Sequence, residues 1–297
     1  MKSLIVGMGI GNLYKEVLTN LGYEIVTVDL DPTKADYTLI SDAVKDHEYF
    51  DTAHICTPNF THKELAQQAA QVSKIVFIEK PGLKSAEEWK GLNRQFPRTR
   101  FMMVKNNQWR ENIQDLQKLA SKSTSVNLFW VNENRVPNPG TWFTTKELAY
   151  GGVSRDLMTH LLSLFQALNY SYKTTPLITA SAEQRYCLEE LTDTDYGTVK
   201  ADGTYNVDDV CKFVFEGPQR DWNLIADWRS TITDYRQIDF QLLDGTTESF
   251  ELGLCPAEAY QAMIADAVTN LNNEEFWTEQ YQKDVWIHER IDELENC

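Results

Sequence analysis

Leu4-Ile5-Val6-Gly7-Met8-Gly9-Ile10-Gly11-Asn12 is a short apolar run that leads directly into a glycine-rich turn. An apolar stripe with helical spacing follows over residues 13–21, so the turn lies between a strand and a helix. Backbone N–H groups in such a turn can approach a pyrophosphate at the start of the helix. The usual pattern is G-x-G-x-x-G, whereas here Asn12 holds the third glycine position and Gly11 comes one residue early. A plain glycine turn would look similar, so the context matters.

That context favours a dinucleotide. Asp29 ends the second strand candidate, about 20 residues further on, where an acidic side chain would bind a ribose 2′-hydroxyl. Asp31 follows and no arginine does, so a 2′-phosphate would meet like charge. The sequence therefore predicts NAD(H) in preference to NADP(H). The expected contacts in this region are Gly7, Gly9, Ile10, Gly11, Asn12 and Asp29.

The first 106 residues alternate between strand-like and helix-like segments, which predicts a doubly wound parallel sheet of the Rossmann type. Two helix starts, at Thr61 and Ser85, match the capping box, with Glu three residues later. Several strand candidates are continuous apolar runs, as expected where both faces of a sheet are covered. The six strand candidates are Leu4–Gly7, Glu24–Asp29, Tyr37–Ile40, Thr52–Thr57, Ile75–Lys80 and Arg100–Lys105.

The pattern changes after about residue 120. Four strand candidates from 210 to 252 are separated only by turns, which predicts an open, mostly antiparallel sheet. Helices are expected at 154–168 and 257–272, and another over 274–295 that packs back on the first domain. We therefore expect a Rossmann domain over residues 1–120 and a second α/β domain over residues 121–297. The other strand candidates are Ser125–Arg135 and Leu177–Gln184.

Composition narrows the function classes. The formal net charge of −16 repels phosphate backbones, so no nucleic-acid partner is expected. No apolar run approaches the roughly 20 residues of a membrane-spanning helix. The five cysteines are widely spaced and lack a Cys-x-x-Cys pair, which predicts reduced thiols, and no metal site. With no cleavable signal pattern after Met1, we expect a cytoplasmic protein.

Three further motifs follow the glycine turn. Thr57-Pro58-Asn59 ends the fourth strand candidate, Glu79-Lys80-Pro81 ends the fifth, and Asp156-x-x-x-His160 follows Gly151-Gly152. In this order, the set resembles the Gfo/Idh/MocA oxidoreductases, the family of glucose–fructose oxidoreductase and inositol dehydrogenase. The resemblance covers most of the chain and is strongest over residues 1–110.

The resemblance implies NAD(P) at the carboxyl edge of the sheet and a substrate between two domains. It implies that Lys80, Asp156 and His160 meet at the reacting carbon. It further implies homo-oligomers, usually dimers or tetramers, formed through the open sheet. The additional cofactor contacts that it implies are Thr57, Pro58, Asn59, Glu79 and Lys80, and His62 lies in the adjacent helical turn.

The chemistry of these side chains fits such a role. Ligands of open parallel sheets bind beyond the carboxyl ends of the strands, where Glu79 and Lys80 lie. Asp156 and His160 are four residues apart and would share one helix face, although an ordinary surface pair has the same spacing. Histidine suits the removal of an alcohol proton, so His160 is the expected acid/base, Lys80 the cation on the reacting oxygen and Asp156 the orienting partner.

The chain departs from the family at Met158, where glycine is frequent, and at Arg155, which could attract an anionic substrate or pair with a surface acid. Expected pocket walls are Trp109, Arg110, Trp142 and Arg155. Among the other histidines, His54 is expected in the core, His62 either near the cofactor or in a fraying first turn, and His47 and His288 without metal partners.

The leading hypothesis is an NAD(H)-dependent oxidoreductase acting on a hydroxyl or carbonyl carbon of a sugar, polyol or sugar derivative. One alternative is an enzyme of the same fold with other chemistry: a tetrapyrrole or imine reductase, or a redox-neutral glycosidase that holds NAD. Another is a non-catalytic NAD-sensing regulator. The joint presence of Lys80, Asp156 and His160 favours the dehydrogenase.

Overall fold

The computed structural model describes residues 1–194, 196–230 and 234–296. The chain divides into two compact units, Met1–Trp109 with Pro256–Glu289, and Arg110–Cys255 with Arg290–Cys297. The domain boundary expected at residue 120 stays a prediction. Cys297, expected to be a reduced thiol, lies outside the described residues.

The described residues form strands and helices that we number in chain order. The strands are β1 (Lys2–Val6), β2 (Glu24–Val28), β3 (Phe50–Ile55), β4 (Ser73–Ile78), β5 (Arg100–Met103), β6 (Ser123–Val131), β7 (Leu177–Glu183), β8 (Val210–Glu216), β9 (Asp221–Asp227), β10 (Tyr235–Leu242) and β11 (Thr247–Glu251). The helices are α1 (Gly11–Asn20), α2 (Ile40–His47), α3 (His62–Ala70), α4 (Ala86–Gln95), α5 (Ile113–Ser121), α6 (Lys146–Ala149), α7 (Val153–Asp156), α8 (Met158–Leu168), α9 (Ala257–Thr269) and α10 (Glu274–Asp292).

The first unit contains a five-stranded sheet in the order β2-β1-β3-β4-β5, with every pairing parallel. Its central strands are apolar on both faces, and Leu4, Ile5, Val76 and Phe77 are fully buried or nearly so. Burial on both faces is typical of a parallel sheet covered by crossover helices. The predicted doubly wound fold is confirmed.

The strand expected at Tyr37–Ile40 is absent from this fully described sheet. Tyr37 forms only an isolated bridge with Val28, and α2 already begins at Ile40. The Asp36 carboxylate accepts hydrogen bonds from the N–H (3.1 Å) and the hydroxyl (2.7 Å) of Thr27. The Tyr37 backbone also donates to the Thr27 carbonyl oxygen (3.1 Å) and accepts the Asp29 N–H (3.0 Å), so backbone pairing with β2 is limited to one residue and the Asp36 side chain takes the Thr27 N–H.

The two predicted capping boxes differ in outcome. At the start of α4, the Ser85 hydroxyl accepts the Glu88 N–H, as expected. At α3, Thr61 is the N-cap residue, but its hydroxyl donates to Thr57 Oγ1 (2.6 Å) and contacts the Pro58 carbonyl oxygen. The second expectation was wrong because the Thr61 hydroxyl bonds to the preceding loop and does not cap α3.

The C-terminal helix α10 is joined to the edge of the sheet by a buried ion pair. Lys105 and Asp284 are both inaccessible to solvent, and Lys105 Nζ bonds to the Asp284 carboxylate. The Met103 N–H also donates to that carboxylate (3.1 Å), and the Met103 carbonyl oxygen accepts from Lys105 (3.2 Å). Burial raises the pKa of Asp284 and lowers that of Lys105, so each charge depends on the other.

The second unit is built on a mixed sheet in the order β11-β10-β6-β9-β8-β7, as far as its residues are described. β6 pairs with β9 in parallel, and the other pairings are antiparallel. One face is covered by α8, whose Phe165 packs against Phe215 and Trp222. The predicted open, mostly antiparallel sheet is confirmed.

The helix expected at 154–168 is divided in two. α7 ends at Asp156, Leu157 separates it from α8, and the His160 N–H bonds to the Leu157 carbonyl oxygen (3.0 Å). A continuous α-helix would have paired that N–H with Asp156. The spacing rule that placed Asp156 and His160 on one face therefore does not hold strictly across this junction.

We predict that Asp284→Leu destabilises the protein by about 3–5 kcal/mol, because Lys105 is left buried without its counter-ion. Replacing both residues, by Lys105→Met with Asp284→Leu, should recover most of that loss. Urea unfolding measures both values. Lys45→Ala, which breaks an exposed ion pair with Asp42, is the control and should change stability far less. A double variant as unstable as Asp284→Leu would contradict the assignment.

Candidate functional site

The glycine turn after β1 lies against the end of β3. Gly7 has φ +92°, and a Cβ at this position would lie 2.7 Å from the Cys56 carbonyl oxygen and 2.7 Å from Thr57 Cγ2. The Gly7 N–H donates to the Val28 carbonyl oxygen (2.8 Å) at the end of β2. Only glycine fits here, and its absence of a side chain lets the ends of three neighbouring strands meet.

Gly9 and Gly11 have different surroundings. A Cβ at Gly9 would meet nothing within 4 Å, whereas one at Gly11 would lie 3.0 Å from Ile5 Cγ2. Gly11 thus permits the close packing of α1 on β1, which is the usual task of the third glycine. Asn12, which holds the formal third position, bonds through its side-chain amide to the Met8 carbonyl oxygen. Gly11 therefore fills the packing role of the third glycine, although the spacing of the motif is altered.

The start of α1 is suited to an anion. Its N-cap residue, Ile10, provides no side-chain hydrogen bond, and the first N–H groups of a helix have no partner within the helix. The open space next to Gly9 lies in the same loop. Together these features provide a cradle for a phosphate group.

Asp29 connects the end of β2 to this loop. One carboxylate oxygen accepts the Met8 N–H (2.7 Å) and the other accepts the Asp31 N–H (2.9 Å). A carboxylate offers about four acceptor positions, so both oxygens can still accept from a ribose hydroxyl. The Asp31 carboxylate accepts the Thr33 N–H and forms an ion pair with Lys34. The adjacent Leu30 is 85% exposed. Leu30 therefore exposes an apolar side chain at this edge, which the sequence analysis did not predict.

The loop after β3 contains Thr57, Pro58 and Asn59. Thr57 is partly exposed and its hydroxyl accepts from Thr61, while Asn59 is buried. His62, the first residue of α3, is fully buried, with one ring nitrogen 2.8 Å from the Thr57 carbonyl oxygen and the other 2.8 Å from that of Gly82. His62 therefore does not fray, and both of its ring nitrogens face protein carbonyl groups.

The loop after β4 contains Glu79 and Lys80, and the Lys80–Pro81 peptide bond is cis. The buried Glu79 carboxylate accepts the Tyr14 hydroxyl (2.6 Å) and the Lys80 N–H (3.1 Å). Burial, with the Glu79 charge adding to it, raises the pKa of Tyr14 well above its ordinary value, so Tyr14 stays a donor. Tyr14 is a supporting residue that no sequence motif indicated.

Neighbouring parallel strands thus bring the first set of predicted residues to one edge. The glycine loop, Asp29, the Thr57 loop and the Glu79-Lys80 loop follow β1, β2, β3 and β4, which are adjacent in the sheet. This is the edge where open α/β sheets bind their ligands.

In the second unit, Asp208 fixes the turn that opens α7. Its carboxylate accepts the N–H groups of Gly152 (2.9 Å) and Ser154 (2.7 Å), and also the Ser154 hydroxyl (2.9 Å). A Cβ at Gly152 would overlap the Asp208 carbonyl oxygen, so this position requires glycine. The turn places Asp156 one helical turn further along the chain.

Two tryptophans support the predicted catalytic side chains of this unit. The indole N–H of Trp228, a fully buried residue, donates to Asp156 Oδ2 (2.9 Å). The His160 ring stacks on Trp130, with centroids 5.0 Å apart and planes at 18°, and the Arg236 guanidinium lies over the Trp130 ring. The sequence analysis predicted no supporting role for Trp130 or Trp228, because the sequence alone does not indicate which strands pack against α7 and α8.

Arg155 points into the interior of the second unit. It is 2% exposed, its Nε donates to the Tyr150 carbonyl oxygen (3.2 Å), and a guanidinium nitrogen lies 3.4 Å from the Asp292 carboxylate. It lines a cavity of about 220 Å³ together with Lys146 and Asn206, among others. Met158 is fully buried and packs in the core.

The remaining residues that were expected to line the pocket make contacts within their own units. The Trp109 indole N–H donates to Asp266 (3.0 Å). Arg110 is buried, and its guanidinium donates to the carbonyl oxygens of Leu252 (2.6 Å) and Gly253 (3.3 Å). Trp142 packs on Phe143. Their role as pocket walls stays a prediction.

His54 lies in the core, as expected, fully buried and stacked on Phe77. Within the described part of the chain, no group of three or more His, Cys, Asp or Glu side chains could hold a metal ion. Cys56, Cys187, Cys211 and Cys255 are free thiols. No helix among the described residues has both the length and the apolar character needed to cross a membrane.

The residues at the sheet edge fit NAD. The space beside Gly9 and the first N–H groups of α1 would hold the pyrophosphate, and Asp29 would bind the adenosine ribose. Among the described residues, the Asp29 carboxylate contacts the N–H groups of Met8 and Asp31 and no basic side chain, which agrees with NAD in preference to NADP.

Comparison with known proteins supports this reading. A family model for the Gfo/Idh/MocA oxidoreductases, described as an NAD-binding Rossmann fold, matches residues 4–105. A protein assigned as the oxidoreductase subunit of a UDP-kanosamine synthase in Amycolatopsis mediterranei is 27% identical over 179 residues. That match covers 54% of this chain and spans only half the length of the relative.

Solved structures share the fold over nearly the whole chain. GenD2 from gentamicin A biosynthesis, in complex with NAD, has a TM-score of 0.75 at 18% identity, covering 98% of this chain and 92% of its own. Levoglucosan dehydrogenase with NADH and levoglucosan has a TM-score of 0.75 at 16% identity, covering 99% and 96%. A myo-inositol dehydrogenase from Corynebacterium glutamicum has a TM-score of 0.74 at 13% identity, covering 100% and 96%.

At these identities the solved structures establish the fold alone. The family model rests on the sequence itself, and its match covers the glycine loop, Asp29, the Thr57 loop and Glu79-Lys80-Pro81. Residues 4–105 therefore match the NAD-binding Rossmann domain of the Gfo/Idh/MocA oxidoreductases, and NAD is the cofactor that this match supports.

Proposed function

We propose that this protein is an NAD(H)-dependent dehydrogenase that interconverts a hydroxyl and a carbonyl group on a sugar, a polyol or a sugar derivative. The observation that carries the proposal is the placement of a charged lysine, Lys80, at the same sheet edge as the glycine loop and Asp29. A cofactor-binding module without chemistry has no need for that lysine. The sugar class is supported by relatives whose names describe levoglucosan and myo-inositol dehydrogenases.

The proposed roles follow from the charge of each side chain and from the residues that hold it in place. NAD⁺ held by the glycine loop and Asp29 would supply the hydride acceptor for oxidation of the carbon that carries the hydroxyl group, and NADH would supply the hydride donor for the reverse reaction. Lys80 donates a hydrogen bond to the reacting oxygen and lowers that oxygen's affinity for its proton. A ring nitrogen of His160 takes up the proton during oxidation and returns it during reduction.

Asp156 acts in this scheme as the orienting partner or as an acceptor for a substrate hydroxyl. Its carboxylate is fixed by the Trp228 indole N–H, and the stack on Trp130 limits the orientations of His160. Preorganised side chains of this kind lose little freedom when the substrate binds. The assignment of Lys80, Asp156 and His160 to one reaction is part of the proposal.

The proposal also includes a homo-oligomer formed through the face of the second sheet opposite α8, which the described residues of this unit leave partly exposed. In this face Phe129 of β6 lies opposite Ile225 of β9, and the Phe129 ring contacts Tyr235 of β10. All three side chains are only partly buried within the chain. An apolar row on an uncovered sheet face is suited to pairing with a second copy. A cytoplasmic location belongs to the same proposal.

We predict that Lys80→Ala and His160→Ala each lower turnover by about 10²- to 10⁴-fold and leave NADH binding largely intact. The assay is NAD⁺ reduction with a panel of sugars, inositols and their acids, and NADH binding is followed by tryptophan fluorescence. Lys84→Ala, an exposed lysine four residues further on, is the matched control and should keep full activity. Unchanged turnover in Lys80→Ala would refute the site, and no turnover on any panel member by wild type would favour a regulator.

For the cofactor, we predict that Asp29→Ala weakens NADH binding about tenfold or more and narrows the preference for NADH over NADPH, because the ribose loses a charged acceptor. Titration calorimetry with both nucleotides gives the ratio. Asp31→Ala removes a charge from the same turn without touching the Met8 N–H and should leave NADH affinity near that of wild type. Tighter binding of NADPH than of NADH by wild type would overturn the role of Asp29.

For assembly, we predict that Ile225→Glu converts the wild-type oligomer into a smaller species, because a charge would be buried in the interface. Sedimentation velocity measures the change. Leu243→Glu, at a 76% exposed turn residue, is the control and should leave the oligomer intact. A monomeric wild-type protein, or an Ile225→Glu variant of wild-type size, would exclude this face.

A further inference from the structure

The peptide group between Gly82 and Leu83 is held at both of its polar ends by buried histidines. Its carbonyl oxygen lies 2.8 Å from His62 Nδ1, and its N–H donates to His288 Nε2 (3.1 Å). The two histidines are 0% and 1% exposed. They come from α3 and α10, which are more than 200 residues apart in the chain.

This peptide directly follows the turn that carries Lys80. The Gly82 N–H donates to the Glu79 carbonyl oxygen (2.9 Å), which closes a turn with Lys80 and Pro81 inside it. Gly82 has φ +80°, and a Cβ there would lie 2.7 Å from His288 Nε2. The backbone at Gly82 therefore lies directly against the His288 ring, and no side chain fits between them.

His288 is itself held rigidly. Its Nδ1 lies 2.7 Å from the Asp284 carbonyl oxygen, so Nδ1 carries the proton and Nε2 accepts the Leu83 N–H. The ring stacks on Trp89, with centroids 5.1 Å apart. One turn earlier on α10, the Asp284 carboxylate pairs with Lys105. The ion pair that docks α10 therefore also sets the position of His288.

His62 provides the support on the other side. Its second ring nitrogen lies 2.8 Å from the Thr57 carbonyl oxygen, so the imidazole lies between the loops after β3 and β4. Burial, with the nearby Lys80 charge acting in the same direction, lowers the pKa of His62. The neutral ring has one N–H and donates to one of the two carbonyl groups at a time.

We propose that His62 and His288 are positioning residues for Lys80, which they fix by holding the Gly82–Leu83 peptide from opposite sides. The inference rests on the proposed catalytic role of Lys80. It assigns the C-terminal helix, through His288, a part in aligning a side chain of the Rossmann domain. It also explains why two histidines without metal partners are buried beside this one loop.

The first test is independent of any substrate. Hydrogen exchange of the Leu83 amide is measured by NMR in wild type, in His288→Phe and in His54→Phe. His54 is an equally buried histidine, stacked on Phe77, and it serves as the matched control. We expect protection of the Leu83 amide to fall about tenfold or more in His288→Phe and to stay unchanged in His54→Phe. A Leu83 amide that exchanges equally fast in all three proteins overturns the proposal.

The second test measures coupling to Lys80, with the substrate found by the sugar panel. His62→Phe and His288→Phe should each lower kcat about 10- to 100-fold with little change in the KM for NAD⁺, and should cause no further loss in the Lys80→Ala background. Equal losses in both backgrounds would show that the histidines do not act through Lys80. His288→Gln, which keeps an acceptor for the Leu83 N–H, should restore part of kcat and covers the case in which the Phe variants fold poorly.

The two tests separate the two claims. If Lys80→Ala keeps full turnover, the proposed function of Lys80 fails, whereas the exchange of the Leu83 amide still shows whether the histidines hold the backbone. If Lys80→Ala loses turnover and the histidine variants do not, the proposed function stands and the positioning role is refuted.

Discussion

The close approach of Gly7 to the Cys56 carbonyl group is the constraint on which the cofactor edge of this protein depends. A Cβ at position 7 would lie 2.7 Å from that oxygen, so only hydrogen fits between the end of β1 and the end of β3. The contact brings the glycine loop beside Thr57. Asp29 then fastens the same loop to β2 through the Met8 N–H. The first contact involves backbone groups alone, whereas the second uses the Asp29 carboxylate, which is also proposed to bind the ribose.

The loop that carries Lys80 is also held in place by hydrogen bonds. Glu79 is held by Tyr14, Gly82 by the Glu79 carbonyl group, and the following peptide by two buried histidines. Buried polar groups are costly unless they are paired, so such a network favours one arrangement of the loop over its alternatives. In the second unit, Asp208 and Trp228 provide comparable support for the segment that carries Asp156. Rigid support of this kind is what a site needs to hold a substrate in reacting geometry.

The fold could be predicted from local patterns because those patterns are strong. Continuous apolar runs indicated the buried parallel strands, and the glycine turn indicated the loop at the cofactor edge. The predicted strand at Tyr37–Ile40 was wrong because backbone pairing with β2 is limited to Tyr37: the Asp36 side chain takes the Thr27 N–H, and α2 begins at Ile40. The helix predicted at 154–168 is present, but Leu157 divides it into α7 and α8.

The supporting residues were less accessible to sequence reasoning. Trp228, Tyr14 and His288 act through contacts with residues that are 65 to 205 positions away. A single sequence contains no signal for such pairs, because neither spacing nor residue type specifies a long-range partner. The glycine turn itself was visible in the motif, whereas the structure was needed to show that Gly11, one residue before the formal third position, permits α1 to pack on β1.

The central claim is that this edge binds NAD through the start of α1 and Asp29. It is tested most directly by following the backbone amides of Gly9, Ile10 and Gly11 in ¹⁵N–¹H spectra during a titration with NADH. The account predicts large shifts of these three amides, saturating at one NADH per chain, with smaller changes elsewhere in the loop. Saturable binding that leaves these amides unmoved would contradict it.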